Sequence, residues 1–256
     1  MTEPLEMSCL VQARLVETQD VTSFQLLPIG VDVPALSPGA HLRLMTPAGI
    51  ERAYSILNSP QETDSLWVSV KREPRSRGGS ASMHDLAVEG TVLSVTDVAN
   101  NFPSLRSERK AVLIAGGIGA APILAIAQAL SSQAISAFEM HYFARSQAHS
   151  PFSKRLRTVD AYLCHHLGLN IKQSKDRLKE IISSTAPNET DIYVCGPGAM
   201  IATVARAALL HGISDEAIRF EYFDDGDLVN RWSDAAQHSS GHQTLAMRRH
   251  AKTSKD

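Results

Sequence analysis

The run Ala111-Val112-Leu113-Ile114-Ala115-Gly116-Gly117-Ile118-Gly119-Ala120-Ala121-Pro122 decides how this chain is read. It begins as an uncharged apolar segment, breaks at three glycines and resumes as a helix-forming stretch. Residues 111–130 carry no charge, which is the length of a membrane span. The glycines and Pro122 in the middle argue instead for strand, tight turn and helix. Glycines let a backbone approach a pyrophosphate, and a helix N-terminus offers free N–H groups and the positive end of its dipole. Pro122 suits the first helical turn, where its missing N–H costs nothing. A tight turn needed only for packing would look the same. The ordinary dinucleotide fingerprint also expects a third glycine where Pro122 stands and an acidic residue at the end of the next strand. That strand ends in Ala144-Arg145-Ser146, so the loop reads as a phosphate binder of a different lineage.

Downstream, apolar and helical patterns alternate. Strands are expected at 137–143, 192–195 and 218–223, and helices at 152–163, 175–184 and 199–210. Such alternation predicts a parallel sheet built by crossover units. The end of the second of these strands, Tyr193-Val194-Cys195-Gly196-Pro197-Gly198, repeats the strand, glycine turn and helix. Ligands of open α/β sheets bind at the carboxyl ends of the strands, so both turns can line one crevice. Cys195 could touch a ligand there or serve as a small buried hydrophobe.

Upstream, residues 9–17, 21–27, 41–44, 65–70 and 91–96 read as short strands separated by turn residues, with a short helix at 80–88; this pattern suggests an antiparallel sandwich or barrel. Residues 102–110 turn polar and read as a linker, and residues after 224 lose hydrophobic density and read as a poorly ordered tail. The expected organisation is therefore a β-barrel over 1–105, an α/β domain over 106–224 and a tail over 225–256.

Composition narrows the function classes. Over 256 residues, 25 Lys+Arg against 27 Asp+Glu give a net charge of -2, which removes the clustered basic surface a nucleic-acid binder needs. Hydrophobic residues at 43% and charged residues at 20% suit a soluble globular protein, with no membrane partner expected. Three cysteines without paired spacing, Cys9, Cys164 and Cys195, suit a reducing compartment, and the first residues lack a secretory pattern; a cytoplasmic location is expected. His165-His166 beside Cys164 reads as a partly exposed helix end, because no partner ligands sit at metal-site spacing.

Chemistry in the first half centres on Arg52-Ala53-Tyr54-Ser55. On a strand, Arg52 and Tyr54 share a side, where a cation and an aromatic can hold a phosphate and stack a planar ring. Ser55 adds a hydroxyl and a backbone N–H. Val70-Lys71-Arg72 ends a strand, and Arg75, Arg77 and Gly78-Gly79-Ser80 then form a basic glycine-rich loop that opens a helix, with Ser80 expected as N-cap or phosphate donor.

With these motifs in this order, the chain resembles the ferredoxin–NADP⁺ reductase-like flavoproteins, and within them the phthalate dioxygenase reductase group that includes the vanillate demethylase reductases. The resemblance covers roughly residues 8–224 and rests on Arg52-Ala53-Tyr54-Ser55, Val70-Lys71-Arg72, Gly78-Gly79-Ser80, Gly116-Gly117-Ile118-Gly119, Cys195-Gly196-Pro197 and Phe220-Glu221-Tyr222-Phe223. It implies FMN, in preference to FAD, held by Arg52, Ala53, Tyr54, Ser55, Val70, Lys71, Gly78, Gly79 and Ser80. It further implies that Gly117, Gly119, Ala121, Pro122, Arg145, Cys195, Gly196 and Pro197 hold NADH or NADPH. Tyr54, Ser55, Cys195 and Phe223 would border the reacting rings.

The chain departs from the group at three places. Ala121 stands where a Thr is common. Ser146 follows Arg145 where an acidic residue is frequent, and the missing carboxylate leaves NADPH open. No Cys occurs in the 33 residues after Phe223, so no intrinsic [2Fe–2S] cluster is expected. The implied activity is hydride uptake from NAD(P)H followed by release of single electrons to a separate ferredoxin-like protein or iron–sulfur oxygenase subunit. A free-standing flavin or ferric reductase and a non-catalytic subunit of the same fold are the alternatives.

Overall fold

Alternation of apolar and polar residues before position 100 produces six antiparallel strands: β1 (Met7–Val16), β2 (Val21–Pro28), β3 (Ala40–Met45), β4 (Glu51–Ser55), β5 (Leu66–Lys71) and β6 (Val92–Asn100). The structure is a computed structural model that describes residues 6–100, 102, 108–133 and 137–221. The strands run in the order β4-β3-β6-β1-β2-β5, and the sheet curls until its two edges meet: Ile56 bridges Val68, and the Leu57 N–H donates to the Trp67 carbonyl at 2.8 Å. That single bridge and hydrogen bond join the two edges, so the sheet is a curled, partly closed barrel. Val11, Phe24, Leu26, Leu42, Leu44, Val68, Val70 and Val95 fill the interior, joined by Met83 of α1 (Gly79–Leu86).

The second sheet is parallel. Its strands are β7 (Lys110–Gly116), β8 (Phe138–Ala144), β9 (Leu163–Leu167), β10 (Thr190–Cys195) and β11 (Ile218–Glu221), in the order β11-β10-β7-β8-β9. The uncharged run becomes β7, a turn, and α2 (Ala120–Ser132), a helix buried almost all round because it lies in the core. Leu113, Ala115, Met140, Tyr142, Tyr193 and Cys195 share one cluster with α2. Val112, Ile114, Ile192 and Val194 alternate to the opposite face. Among the described residues no helix is long and apolar enough to cross a membrane.

Four sequence expectations are corrected. The helix expected at 152–163 is a short α3 (Ser153–Leu156) and a stretch of 3-10 turn, followed by β9. Phe152 is held in the left-handed region, φ 67°, where its N–H donates to Glu17 Oε2, and Val159 leaves helical geometry at φ -123°. His165 and His166 therefore sit on a strand and not at a helix end. His166 is buried, and its ring receives or gives a hydrogen bond at 3.0 Å with His141 Nδ1. The helix expected at 175–184 starts earlier, as α4 (Ile171–Ser183), because Asn170 and Gln173 form a reciprocal capping box. Phe102, assigned to a polar linker, is buried against Tyr193 with ring centroids 6.1 Å apart. The last helix, α5 (Gly198–Leu210), lies within a residue of its expected start.

Candidate functional site

The two strand-end turns press directly on each other. An ideal Cβ on Gly119 would lie 2.7 Å from the Gly196 amide nitrogen and closer still to the Cys195 carbonyl. One on Gly116 would meet Met200 Sδ at 2.6 Å and Pro197 Cδ at 2.8 Å. These glycines exist so that the turns after β7 and β10 can touch. For Gly119 the lack of a side chain is therefore required by the packing of the two turns, whatever its backbone N–H binds. Gly117 is different, since it has φ +55° and nothing within 4 Å of its Cβ position, so its backbone faces open space. Ala121 and Pro122 are buried in the first turn of α2, while Pro197 is exposed at the start of α5.

Cys195 is wholly buried, as the small-hydrophobe alternative expects. Burial, with the Glu221 carboxylate next, pushes its thiol well above the usual range and keeps it protonated. Parallel pairing sets Cys195 opposite Glu221, and antiparallel pairing sets His41 opposite Ser55. The two pairs converge between the sheets, with His41 Nδ1 3.2 Å from Glu221 Oε1 and both side chains less than a tenth exposed. His41 Nδ1, Ser55 Oγ and Glu221 Oε2 are buried without a well-aligned hydrogen-bond partner. Interior polar groups are nearly always satisfied, so such a group of orphans marks a place made to receive something polar.

On the barrel, Arg52 and Tyr54 share the strand side that carries Leu42 and Leu44, as the alternation predicts. Burial raises the Tyr54 phenol to about 12, against the opposing effect of the Arg52 charge, and its hydroxyl is one more orphan. Arg52 lies across Gly79, where a Cβ would come within 3.3 Å of its Cγ and Nε. Glycine there lets the Arg52 side chain lie close against the backbone of the loop. Gly78, at φ +100°, occupies the N-cap of α1, so Ser80 is not the cap. The Ser80 hydroxyl instead accepts the Glu73 N–H at 3.1 Å and contacts Ser76 Oγ at 3.1 Å, which folds the basic loop onto the helix. Val70 is buried and its carbonyl meets His84 Nε2 at 2.9 Å, while Lys71 is exposed beside Glu73 at 3.2 Å. Ala53 is exposed. Arg145 projects from the end of β8, 4.0 Å from Asp20, and Ser146 Oγ lies 2.7 Å from His149 Nδ1. Phe223 lies outside the described residues.

His41 and Glu221 are the site residues the sequence reading did not single out. Glu221 was within reach, inside Phe220-Glu221-Tyr222-Phe223; His41 was not, because its strand pattern reads as an ordinary outward-facing position.

Residues 101–218 match the family model for the N-terminal domain of dimethylamine monooxygenase subunit DmmA-like proteins. The chain is 46% identical over 220 residues to oxidoreductase NdmD of Pseudomonas putida, covering 86% of this chain and 37% of that one. It is 34% identical over 216 residues to a vanillate O-demethylase oxidoreductase of Pseudomonas putida, covering 84% and 67% respectively. Phthalate dioxygenase reductase, solved as a modular structure for electron transfer from pyridine nucleotides to [2Fe–2S], superposes with a TM-score of 0.76 at 28% identity, covering 86% of this chain and 68% of that one. The chain thus spans between about a third and two thirds of the length of these relatives. A barrel closed by Ile56, a parallel sheet with two abutting glycine turns, and sequence shared along most of both place this chain in the oxygenase-reductase family of the vanillate O-demethylase oxidoreductases.

Proposed function

We propose that this chain is an NAD(P)H-dependent reductase component that carries FMN on its barrel and delivers single electrons to a separate ferredoxin-like protein or iron–sulfur oxygenase subunit. The observation that carries the reading is the pair of buried, partnerless oxygens, Ser55 Oγ and Glu221 Oε2, beside the His41–Glu221 contact where the barrel meets the carboxyl end of the parallel sheet. Family membership supports the same reaction class.

The residues present fit a flavin. Tyr54 supplies a buried ring and an orphan hydroxyl, Arg52 a cation on the same strand side, and Gly78-Gly79 a glycine turn with open space at Gly78. FMN would supply the acceptor for a hydride and the donor of single electrons. In this reading Arg52 and the Gly78-Gly79-Ser80 loop hold its phosphate, Tyr54 packs on its ring, and Ser55 offers its hydroxyl and N–H to the ring's polar edge. Val70 and Lys71 border it through the backbone, and Phe223 shields it. The resemblance of the glycine loop supports FMN over FAD.

For the nicotinamide nucleotide, the Gly117 backbone and the N-termini of α2 and α5 supply N–H donors, and Cys195, Gly196 and Pro197 form the floor beneath the ring. Arg145 is followed by Ser146 and not by an acidic residue, which leaves both NADH and NADPH open as donors. The barrel over 1–105 and the α/β region over 106–224 would act as two domains that hold two flat rings in contact, which turns a bimolecular encounter into an internal step. No general base is needed.

An absorption spectrum of the purified protein, the mass of the extracted cofactor and anaerobic titration with each nicotinamide test the reading. Yellow protein releasing FMN and bleached by one equivalent of NADH or NADPH is expected. Protein that stays colourless after incubation with FMN and with FAD refutes it.

A further inference from the structure

We infer that His41 is a positioning residue for Glu221: its Nδ1–H holds Glu221 Oε1 and leaves Oε2 as the free acceptor of the site. The inference rests on the reductase reading above and deepens it at the same site.

The geometry places an imidazole from the barrel 3.2 Å from a carboxylate on the last strand of the parallel sheet, both nearly sealed from water, a distance at which a turn of the ring aligns Nδ1–H with the oxygen. A buried carboxylate is costly without a donor, and breaking such a contact strands the charge. The groups facing Glu221 from its neighbours are few. On β10 it meets Cys195, whose thiol is held protonated and offers only a weak donor. On β3 it meets His41. Arg219, two residues earlier on its own strand, has its Nε buried without a hydrogen-bond partner. Nδ1 of His41 is thus the strong donor within reach from another element, and a neutral imidazole can serve only as the Nδ1–H tautomer. Because His41 belongs to the barrel strand that pairs with Ser55, it transmits the position of the flavin-side strand to a carboxylate beside the nucleotide turns. Such an orienting hydrogen bond fixes which carboxylate oxygen remains available.

Long-range ¹H–¹⁵N correlation spectra of histidine side chains report tautomers directly and need no bound flavin. On the full-length protein without cofactor at pH 8, with His41 assigned through His41→Asn, the Nδ1–H tautomer is expected in wild type and the commoner Nε2–H tautomer in Glu221→Leu. A wild-type Nε2–H signal, or a tautomer indifferent to Glu221→Leu, overturns the inference; if that variant does not fold, the wild-type spectrum decides alone. With FMN bound, His41→Leu should lower kcat about tenfold with KM for the nicotinamide within about twofold, the size of one lost charge-assisted hydrogen bond. His41→Asn, which keeps an N–H near the Nδ1 position, should recover several-fold of that loss. Equal kcat in the two variants also overturns the inference. Protein that binds no flavin would refute the reductase reading and leave the tautomer result standing.

Discussion

Replacing Gly119 by alanine separates the packing account of the glycine turns from a ligand-approach account. The new methyl would sit 2.7 Å from the Gly196 amide nitrogen and nearer to the Cys195 carbonyl, where ordinary contact needs at least 3.4 Å. Both obstacles are backbone on a central strand and its turn, so neither can rotate away. The two turns must move apart by up to about 1 Å to restore ordinary contact. Overpacking of this kind costs about 3 kcal/mol in a well-packed core. For a chain of this size each kcal/mol shifts the midpoint by roughly 2–4 °C, so Gly119→Ala should melt about 6–12 °C below wild type. Gly117→Ala is the control. Its Cβ meets nothing within 4 Å, and only the φ of +55° opposes it, at about 1 kcal/mol. Thermal unfolding followed by circular dichroism, with NADH and NADPH binding measured on the folded variants, gives both numbers. Gly119→Ala with a wild-type midpoint, or Gly117→Ala destabilised more than Gly119→Ala, would refute the reasoning.

Three further outcomes are expected. Burial, and then the neighbouring His141, holds the His166 imidazole down to about 4 from an ordinary 6.5, so the unfolded chain binds its proton first as pH falls. The protein should lose about 2 kcal/mol from this residue between pH 8 and pH 5, with full stability above pH 6.5. Urea titrations of wild type and His166→Gln at both pH values check it, and parallel pH dependences would contradict it. Arg155 forms a bidentate pair with Glu62, at 2.6 and 2.7 Å, and lies 5.3 Å over the Trp67 ring. Arg155→Ala should therefore cost about 2 kcal/mol, and Arg155→Lys should recover less than half of it in chemical denaturation. Arg52→Ala should weaken FMN binding at least about tenfold by fluorescence titration, the worth of one charge-assisted phosphate contact, with a midpoint within about 2 °C of wild type. Unchanged affinity would remove Arg52 from the phosphate site.

The architecture was written locally. Two-residue alternation before residue 100 and uninterrupted apolar runs after 110 report which strands have one buried face and which have two, and that difference alone separates an antiparallel barrel from a parallel sheet. Glycine and proline marked the turns after β7 and β10, where Gly117 takes a positive φ and Gly116, Gly119 and Gly196 sit too close to neighbouring atoms for a Cβ. Pairwise facts across the fold were not legible. Asn170 and Gln173 carried a capping box in plain sight, yet β9 was missed because an edge strand ending in Cys164-His165-His166-Leu167 has no apolar period. The role of Gly119 depends on a backbone 76 positions later, since the atom it avoids belongs to Cys195. The pairing of His41 with Glu221 joins residues 180 positions apart. Local pattern records how each segment divides between core and solvent, a property of that segment alone; which buried polar atoms end up facing one another is fixed only when the barrel and the sheet close together.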